Sequence, residues 1–317
     1  MNLDQLRGFV AIARTGHFTR AAEQLHLAQP SLSRQISTLE QELGAEVFHR
    51  ARGNIALTAA GEALLPRARR MLAEADAVRE DMSELRGLRS GRVRLGAPPT
   101  LCLSIVAEAV TDFHAAHPGV ELQLVEGGSR LLLDQLAVGA IDFALITASD
   151  EAPAPGVSLT RTPLLAEELV VVASAHGHLL PHREGAPPAE IDLETLSTLP
   201  LVAFAESYSL RATADAAFRA AGLTPSPIIE GAEMDTVLRF VERGLGVALV
   251  PAMVLHDRPG LRSARLIAPR LERTVSLAHR TDVTPPRAAE AMRQAIIATA
   301  AGLVERDPAT RLLLERR

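Results

Sequence analysis

Residues 18–43 read FTRAAEQLHLAQPSLSRQISTLEQEL, and this stretch decides how the chain is organised. It parses as two helices around a short turn. Thr19 is placed to cap the first helix, which carries Ala21, Ala22 and Leu25. The turn falls on His26-Leu27-Ala28-Gln29. Pro30 then opens the second helix, at the position where a missing N–H costs least. Leu32, Ile36, Leu39 and Leu43 recur at i, i+4, i+7 and i+11, a single apolar stripe. Pro30, Ser33, Arg34, Ser37 and Gln41 fall on or near the opposite face. That face is short, polar and donor-rich. It suits a DNA major groove, where Arg reads guanine and Ser or Gln take mixed contacts. An ordinary helical hairpin with a solvated outer face satisfies the same spacing.

The flanking sequence extends the pattern. Leu3 to Arg14 reads as a preceding helix, with Leu3, Leu6, Phe9, Val10 and Ala13 turned toward the pair. After Leu43-Gly44 the period changes. Residues 47–50 and 54–57 form a short hairpin across Ala51-Arg52-Gly53, which looks like a wing. There Arg50 and Arg52 would reach phosphate or a narrow minor groove; the alternative is a solvated turn carrying two charges. Thr58 to about Leu85 reads as one long helix. Within it Leu64, Ala68, Met71, Ala75, Val78, Met82 and Leu85 alternate steps of four and three, a heptad seam suited to a partner chain. Pro66 should bend this helix just before it.

Gly87, Ser90 and Gly91 break the helix, and alternating strands and helices follow. Strands are expected at 93–96, 120–125 and 143–146, with helices at 103–116, 131–138, 211–221 and 236–243. The apolar runs Leu169-Val170-Val171-Val172 and Val247-Ala248-Leu249-Val250 suit a sheet covered on both faces. Four strand-to-helix junctions carry small polar residues: Pro98-Pro99-Thr100, Gly127-Gly128-Ser129, Thr147-Ala148-Ser149 and Glu206-Ser207-Tyr208-Ser209. Ligands of open α/β sheets bind outside the carboxyl ends of the strands, where helix N-termini favour anions. Arg130 adds a positive charge beside these positions. Simple helix capping by Ser and Thr is the alternative.

Composition narrows the choice. The 317 residues allow one or two domains plus a connector, and 47% hydrophobic content is ample for a core. Net charge is −5, with residues 1–60 at +1 and the remainder at −6, so DNA binding must rest on placement rather than bulk charge. One cysteine, Cys102, excludes an intramolecular disulfide and points to a reducing compartment. No apolar run approaches a membrane span, and the N-terminus lacks the basic region of a signal peptide. All 33 basic residues are Arg. Without Lys there is neither a Walker A loop nor a pyridoxal-phosphate Schiff base.

The segment from Leu6 to Leu65 closely resembles the N-terminal domain of LysR-type transcriptional regulators. Phe9, Gly16, Phe18, Ala21, Ala22, Leu25, Gln29, Pro30, Ser33, Ile36, Leu39, Glu40, Leu43, Gly44, Phe48, Arg50, Leu57, Thr58, Gly61 and Glu62 carry the likeness. It continues more loosely to about residue 295. The resemblance implies an α/β protein in three parts. Residues 1–58 would be a winged helix-turn-helix, and 59–90 a linker helix pairing with an antiparallel copy. Residues 91–303 would be a periplasmic-binding-protein-like effector domain, with lobe I at 91–161 and 268–303 and lobe II at 162–267. The strands crossing between lobes are expected near 161–165 and 266–269, and 304–317 is a tail of no assigned role. DNA contacts are expected from Thr19, Arg20, Gln29, Pro30, Ser31, Ser33, Arg34, Ser37, Arg50 and Arg52. Effector contacts are expected from Thr100, Leu101, Ser129, Thr147, Ser207 and Met234. The partners implied are double-stranded promoter DNA, an anionic or polar small-molecule effector, a second or fourth copy of the chain, and RNA polymerase. A cytoplasmic protein with no cofactor, metal or membrane contact is expected.

Other signals carry less. His114 with His117, and His176 with His178, lack the companions of a metal site. Gly244-Leu245-Gly246 precedes a strand instead of following one, so it reads as a turn into Val247. Glu167-Glu168 reads as the start of a strand. Two rivals remain. One is a regulator whose second domain needs no ligand and serves as an oligomerisation or partner surface. The other is an enzyme with a DNA-binding head, for which no catalytic set is visible.

Overall fold

The computed structural model describes all residues except 52–53, 85–90, 148–157, 182–188, 207, 257, 307 and 314–317. The head opens with α1 (Leu3–Thr15), whose Asn2 and Gln5 cap each other reciprocally. Helices α2 (Phe18–Gln24) and α3 (Gln29–Leu43) follow. Strands β1 (Phe48–Ala51) and β2 (Asn54–Leu57) pair antiparallel as the wing. Leu32, Ile36 and Leu39 are fully buried against Leu6, Phe9 and Ile12, each stabilising the head by about 1.5–3 kcal/mol. Two details differ from expectation. Helix α2 starts at Phe18 with His17 before it, so Thr19 lies inside the helix instead of capping it. The cause is packing: Phe18 sits edge-on against Phe48 at 6.1 Å, which fixes where the helix begins. At the other end, Leu43 is exposed because α3 overshoots the core before Gly44 turns left-handed.

Helix α4 (Ala59–Glu84) runs unbroken through Pro66. Gly61 lets it approach the wing, since a Cβ there would collide with the Val47 carbonyl. The seam divides along its length. Ala68 is fully buried in the head's own core and so is not open to a partner, and Leu64, half-buried, packs against that core too. Farther on, Met71 is 42% and Val78 59% exposed, and Ala75 is half-buried. The Met82 side chain and Leu85 lie outside the described residues.

The C-terminal part is built on a nine-stranded mixed sheet and a separate two-stranded parallel sheet in lobe II. Strand β3 (Gly91–Ala97) lies parallel between β4 (Val120–Glu126) and β5 (Phe143–Thr147). Helix α5 (Pro99–Leu101), a π turn at Cys102–Val106 and α6 (Ala107–Ala116) run on as one segment, and α7 (Ser129–Ala137) joins β4 to β5. Strand β6 (Leu159–Ser174) is the long crossing strand. Then come β7 (Ala189–Ile191), α8 (Leu193–Thr198), β8 (Leu201–Phe204), α9 (Ser209–Ala220), β9 (Pro227–Ala232), α10 (Met234–Glu242) and β10 (Ala248–Pro251). A 3-10 turn at Ala252–Leu255 leads to β11 (Leu261–Leu266), β12 (Glu272–Arg280), α11 (Arg287–Arg306) and β13 (Thr310–Leu312).

The two lobes meet inside β6. Residues 159–168 of β6 pair with β12, whereas 169–174 pair with β10 and β11. The hand-over therefore falls at Glu168/Leu169, several residues beyond the expected crossing, and the return runs through 267–271. Glu167 and Glu168 consequently lie in mid-strand at the lobe boundary, and the strand starts at Leu159. Each lobe has its own apolar core, one around Val93, Ile105, Leu165 and Met292, the other around Val171, Leu196, Val237 and Leu249. The tail is not a loose end. Strand β13 pairs antiparallel with β6, setting Thr310 opposite Glu167 beside the hand-over.

Candidate DNA-reading face and interlobe cleft

Helix α3 buries its leucine face and leaves the other face outward. Thr19, Arg20, Gln29, Pro30, Ser31 and Arg34 are exposed, and Ser33 and Ser37 are half-buried on the same side. Arg20 and Arg34 have no ion-pair partner among the described residues. Their guanidinium groups are thus available for phosphate or a base edge. The Arg50 side chain and Arg52 lie outside the described residues.

A cleft of about 690 Å³ opens between the lobes. Thr100, Ser129 and Thr147 line it from lobe I, together with Arg130; Glu206, Tyr208 and Glu233 line it from lobe II. The Thr100 and Ser129 hydroxyls do not cap their helices: Pro98 and Gly128 stand at the N-cap positions of α5 and α7. Instead Ser129 Oγ accepts from the Thr147 amide at 3.2 Å and lies 3.3 Å from Thr147 Oγ1, tying two junctions together. Two expected contacts fail. Leu101 is fully buried in the lobe I core and Met234 in the lobe II core, each turned inward from its junction. Ser207 lies outside the described residues.

The floor of the cleft holds a group that sequence reasoning missed. Arg273, on β12, is only 9% exposed, and its Nε donates to Glu167 Oε2 at 2.8 Å. Glu167 is fully buried, and its Oε1 accepts the Met253 amide from lobe II at 2.8 Å. Arg273 Nη1 donates to Thr100 Oγ1 at 2.9 Å. Thr100 is itself buried, so its hydroxyl holds the guanidinium first and meets a ligand only second. Arg273 Nη2 and the Tyr208 hydroxyl, both buried, have no hydrogen-bond partner among the described residues. Tyr208 stacks on Phe204 with centroids 5.0 Å apart. Burial, with Glu233 nearby, pushes its phenol up to about 12, so it stays a donor at neutral pH. A buried donor without a partner is costly, and two in one cleft mark a place where acceptor atoms are wanted. One signal for Arg273 was in the sequence: an acid pair inside the apolar run LLAEELVVV needs a cation somewhere.

Cys102 sits on the π turn behind this wall. Burial, and then Glu126, push its thiol up to about 12. Among the described residues no group of His, Cys, Asp or Glu could hold a metal ion, and no helix is long and apolar enough to cross a membrane.

Comparison with known proteins fixes the family. Residues 3–62 match the bacterial regulatory helix-turn-helix protein, lysR family, and residues 86–301 match the LysR substrate binding domain. The chain belongs to the LysR family of transcriptional regulators. It is a DNA-binding regulator with a helix-turn-helix head and a C-terminal effector-binding domain. Similar relatives include a probable hydrogen peroxide-inducible genes activator of Streptomyces viridosporus, 34% identical over 91% of this chain and 90% of that protein. The regulator IlvR of Caulobacter vibrioides is 33% identical, covering 90% of this chain and 94% of its own length. Among solved structures, a full-length OxyR variant from Pseudomonas aeruginosa superposes with a TM-score of 0.71 at 27% identity, over 93% of this chain and 94% of that one.

Proposed function

We propose that the protein reads promoter DNA with the exposed face of α3 and the wing, and responds to a small polar effector with an acidic group in the interlobe cleft. Arg34, Ser33 and Gln29 reach base edges, while Arg20 and the wing arginines hold phosphate. Protomers pair through the distal part of α4, where Met71 and Val78 present apolar surface. The protein acts in the cytoplasm, engages RNA polymerase at its promoters and catalyses no reaction.

One observation carries the effector reading: a buried guanidinium in the cleft floor, clamped by Glu167 and Thr100, whose Nη2 has no partner among the described residues. An acid group accepting from Nη2 and from the Tyr208 hydroxyl satisfies both donors. Sensing of peroxide, which the name of one relative suggests, is not supported. A thiol response needs a thiolate, and the sole cysteine is held protonated at neutral pH. The chain supplies its own probe, because Tyr208 is its only tyrosine and it has no tryptophan. Titration of metabolites against tyrosine emission therefore reports on the cleft alone. If no metabolite changes either this emission or the thermal midpoint, the ligand-free rival stands.

A further inference from the structure

The walls of the cleft carry opposite charges. On lobe I and at the floor are Arg130 and Arg273, on lobe II Glu206 and Glu233. The side chains of Arg130, Glu206 and Glu233 have no ion-pair partner among the described residues. Arg273 is more than nine-tenths buried and already shares its charge with Glu167. Its Nη2, buried in the cleft floor, has no partner among the described residues, and one acid group would satisfy it. A second acid group on the same ligand would face Glu206 and Glu233, and like charges brought together in a closing cleft select against that ligand. A purely cationic ligand would leave Nη2 facing a positive charge. After burial, Glu233 of lobe II is the largest upward push on the Tyr208 hydroxyl, with smaller ones from Glu126 of lobe I and Asp235 of lobe II.

We infer that the effector is a zwitterion, an amino-carboxylate whose acid group meets Arg273 and whose ammonium group meets Glu233 and Glu206. This rests on the cleft being an effector site, as proposed above. Such a ligand bridges the lobes by charge, which holds the cleft closed only when both of its ends are present.

The test uses the full-length protein and Tyr208 emission. The probes are L-amino acids, the 2-oxo acids of the same skeletons, the matching primary amines, and short dicarboxylates. A metabolite extract passed over immobilised protein, with mass spectrometry of what is retained, covers ligands outside the panel. The best amino acid should bind roughly tenfold or more tighter than its oxo acid and its amine. Glu233→Gln and Glu206→Gln should each narrow that preference while oxo-acid binding is kept. Equal or tighter binding of oxo acids or dicarboxylates, or a retained compound with acid groups alone, overturns the zwitterion and leaves the effector cleft standing. Failure of every probe, with nothing retained from the extract, overturns the effector cleft itself.

Discussion

Replacing Arg273 by methionine keeps most of the side-chain volume and removes the charge. The consequence follows from what Arg273 touches. Glu167 is fully buried, and its Oε2 loses the 2.8 Å bond from Nε, while Thr100 Oγ1 loses its 2.9 Å donor. Breaking a buried pair from one side leaves an uncompensated charge, which costs about 3–5 kcal/mol. For a domain of this size each kcal/mol lowers the melting midpoint by about 2–4 °C, so Arg273→Met should melt about 6–20 °C below the parent. Tyr208 emission follows the melting of the effector domain without interference from the head, which has no tyrosine. A second substitution supplies the control. Adding Glu167→Gln removes the stranded charge, and most of the loss should return. If Arg273→Met melts within about 2 °C of the parent at pH 7, and Glu167→Gln changes nothing in that background, then the pair is not a buried, charged clamp.

Arg34→Ala should weaken specific DNA binding by about 1–3 kcal/mol, measured by titration at fixed salt, and leave the melting midpoint unchanged because the exposed Arg34 side chain has no ion-pair partner among the described residues. Met71→Glu should shift sedimentation toward monomer with the head intact, whereas Ala68→Glu should unfold the head, since Ala68 is fully buried there. Cys102→Ser should leave the regulatory response to peroxide identical to that of the parent in a promoter assay, because the thiol is pushed up to about 12. Thr100→Val removes the acceptor of Arg273 Nη1, so effector affinity in the emission titration should fall by about 1–3 kcal/mol while effector-free DNA affinity holds.

What could be read in the sequence was what rests on local periodicity. The stripe of α3, the wing and the alternating strands and helices all follow from neighbours within a few residues. The seam failed halfway for an instructive reason. Spacing marks which face of α4 is apolar, but not whether a partner chain or the head's own core covers it, and the head takes Leu64 and Ala68. Leu101 and Met234 failed similarly, since lying beside a junction does not say which way a side chain turns. Arg273 was harder still. Its partners are 106 and 173 residues away, and within ERTVSLAHR it reads as one more solvated charge at a strand edge. Glu167 was misplaced because only tertiary pairing shows that β6 began eight residues earlier.

The placement of the linker decides which way a ligand can act. Helix α4 leans on lobe I: a Cβ at Gly139 would lie 2.8 Å from that of Ala73, and Arg92 and Arg280 stand 3.7 and 3.8 Å from Asp76 and Glu74. Exposed pairs of that length are weak, so the close backbone approach at Gly139 matters more than the charges. Lobe II is held differently. It joins lobe I through β6, through residues 267–271 and through Met253, whose amide donates to Glu167 and whose side chain is buried in the lobe I core. The tail reinforces this boundary beyond residue 301, where the family match ends, with the Glu168 amide donating to Ala309 at 2.8 Å and Ala309 resting on the lobe II core. Closure of the cleft, under the effector reading proposed above, would swing lobe II against a unit made of lobe I and the linker. The clamp of Arg273 on Glu167 lies on that axis, with the cleft on one side and the lobe II backbone on the other. A ligand that takes Nη2 competes for the guanidinium that orients Glu167, and so bears directly on the Met253 contact. On that reading, a change in the spacing of two DNA-reading heads would begin with the orientation of lobe II, not with a bend in α4.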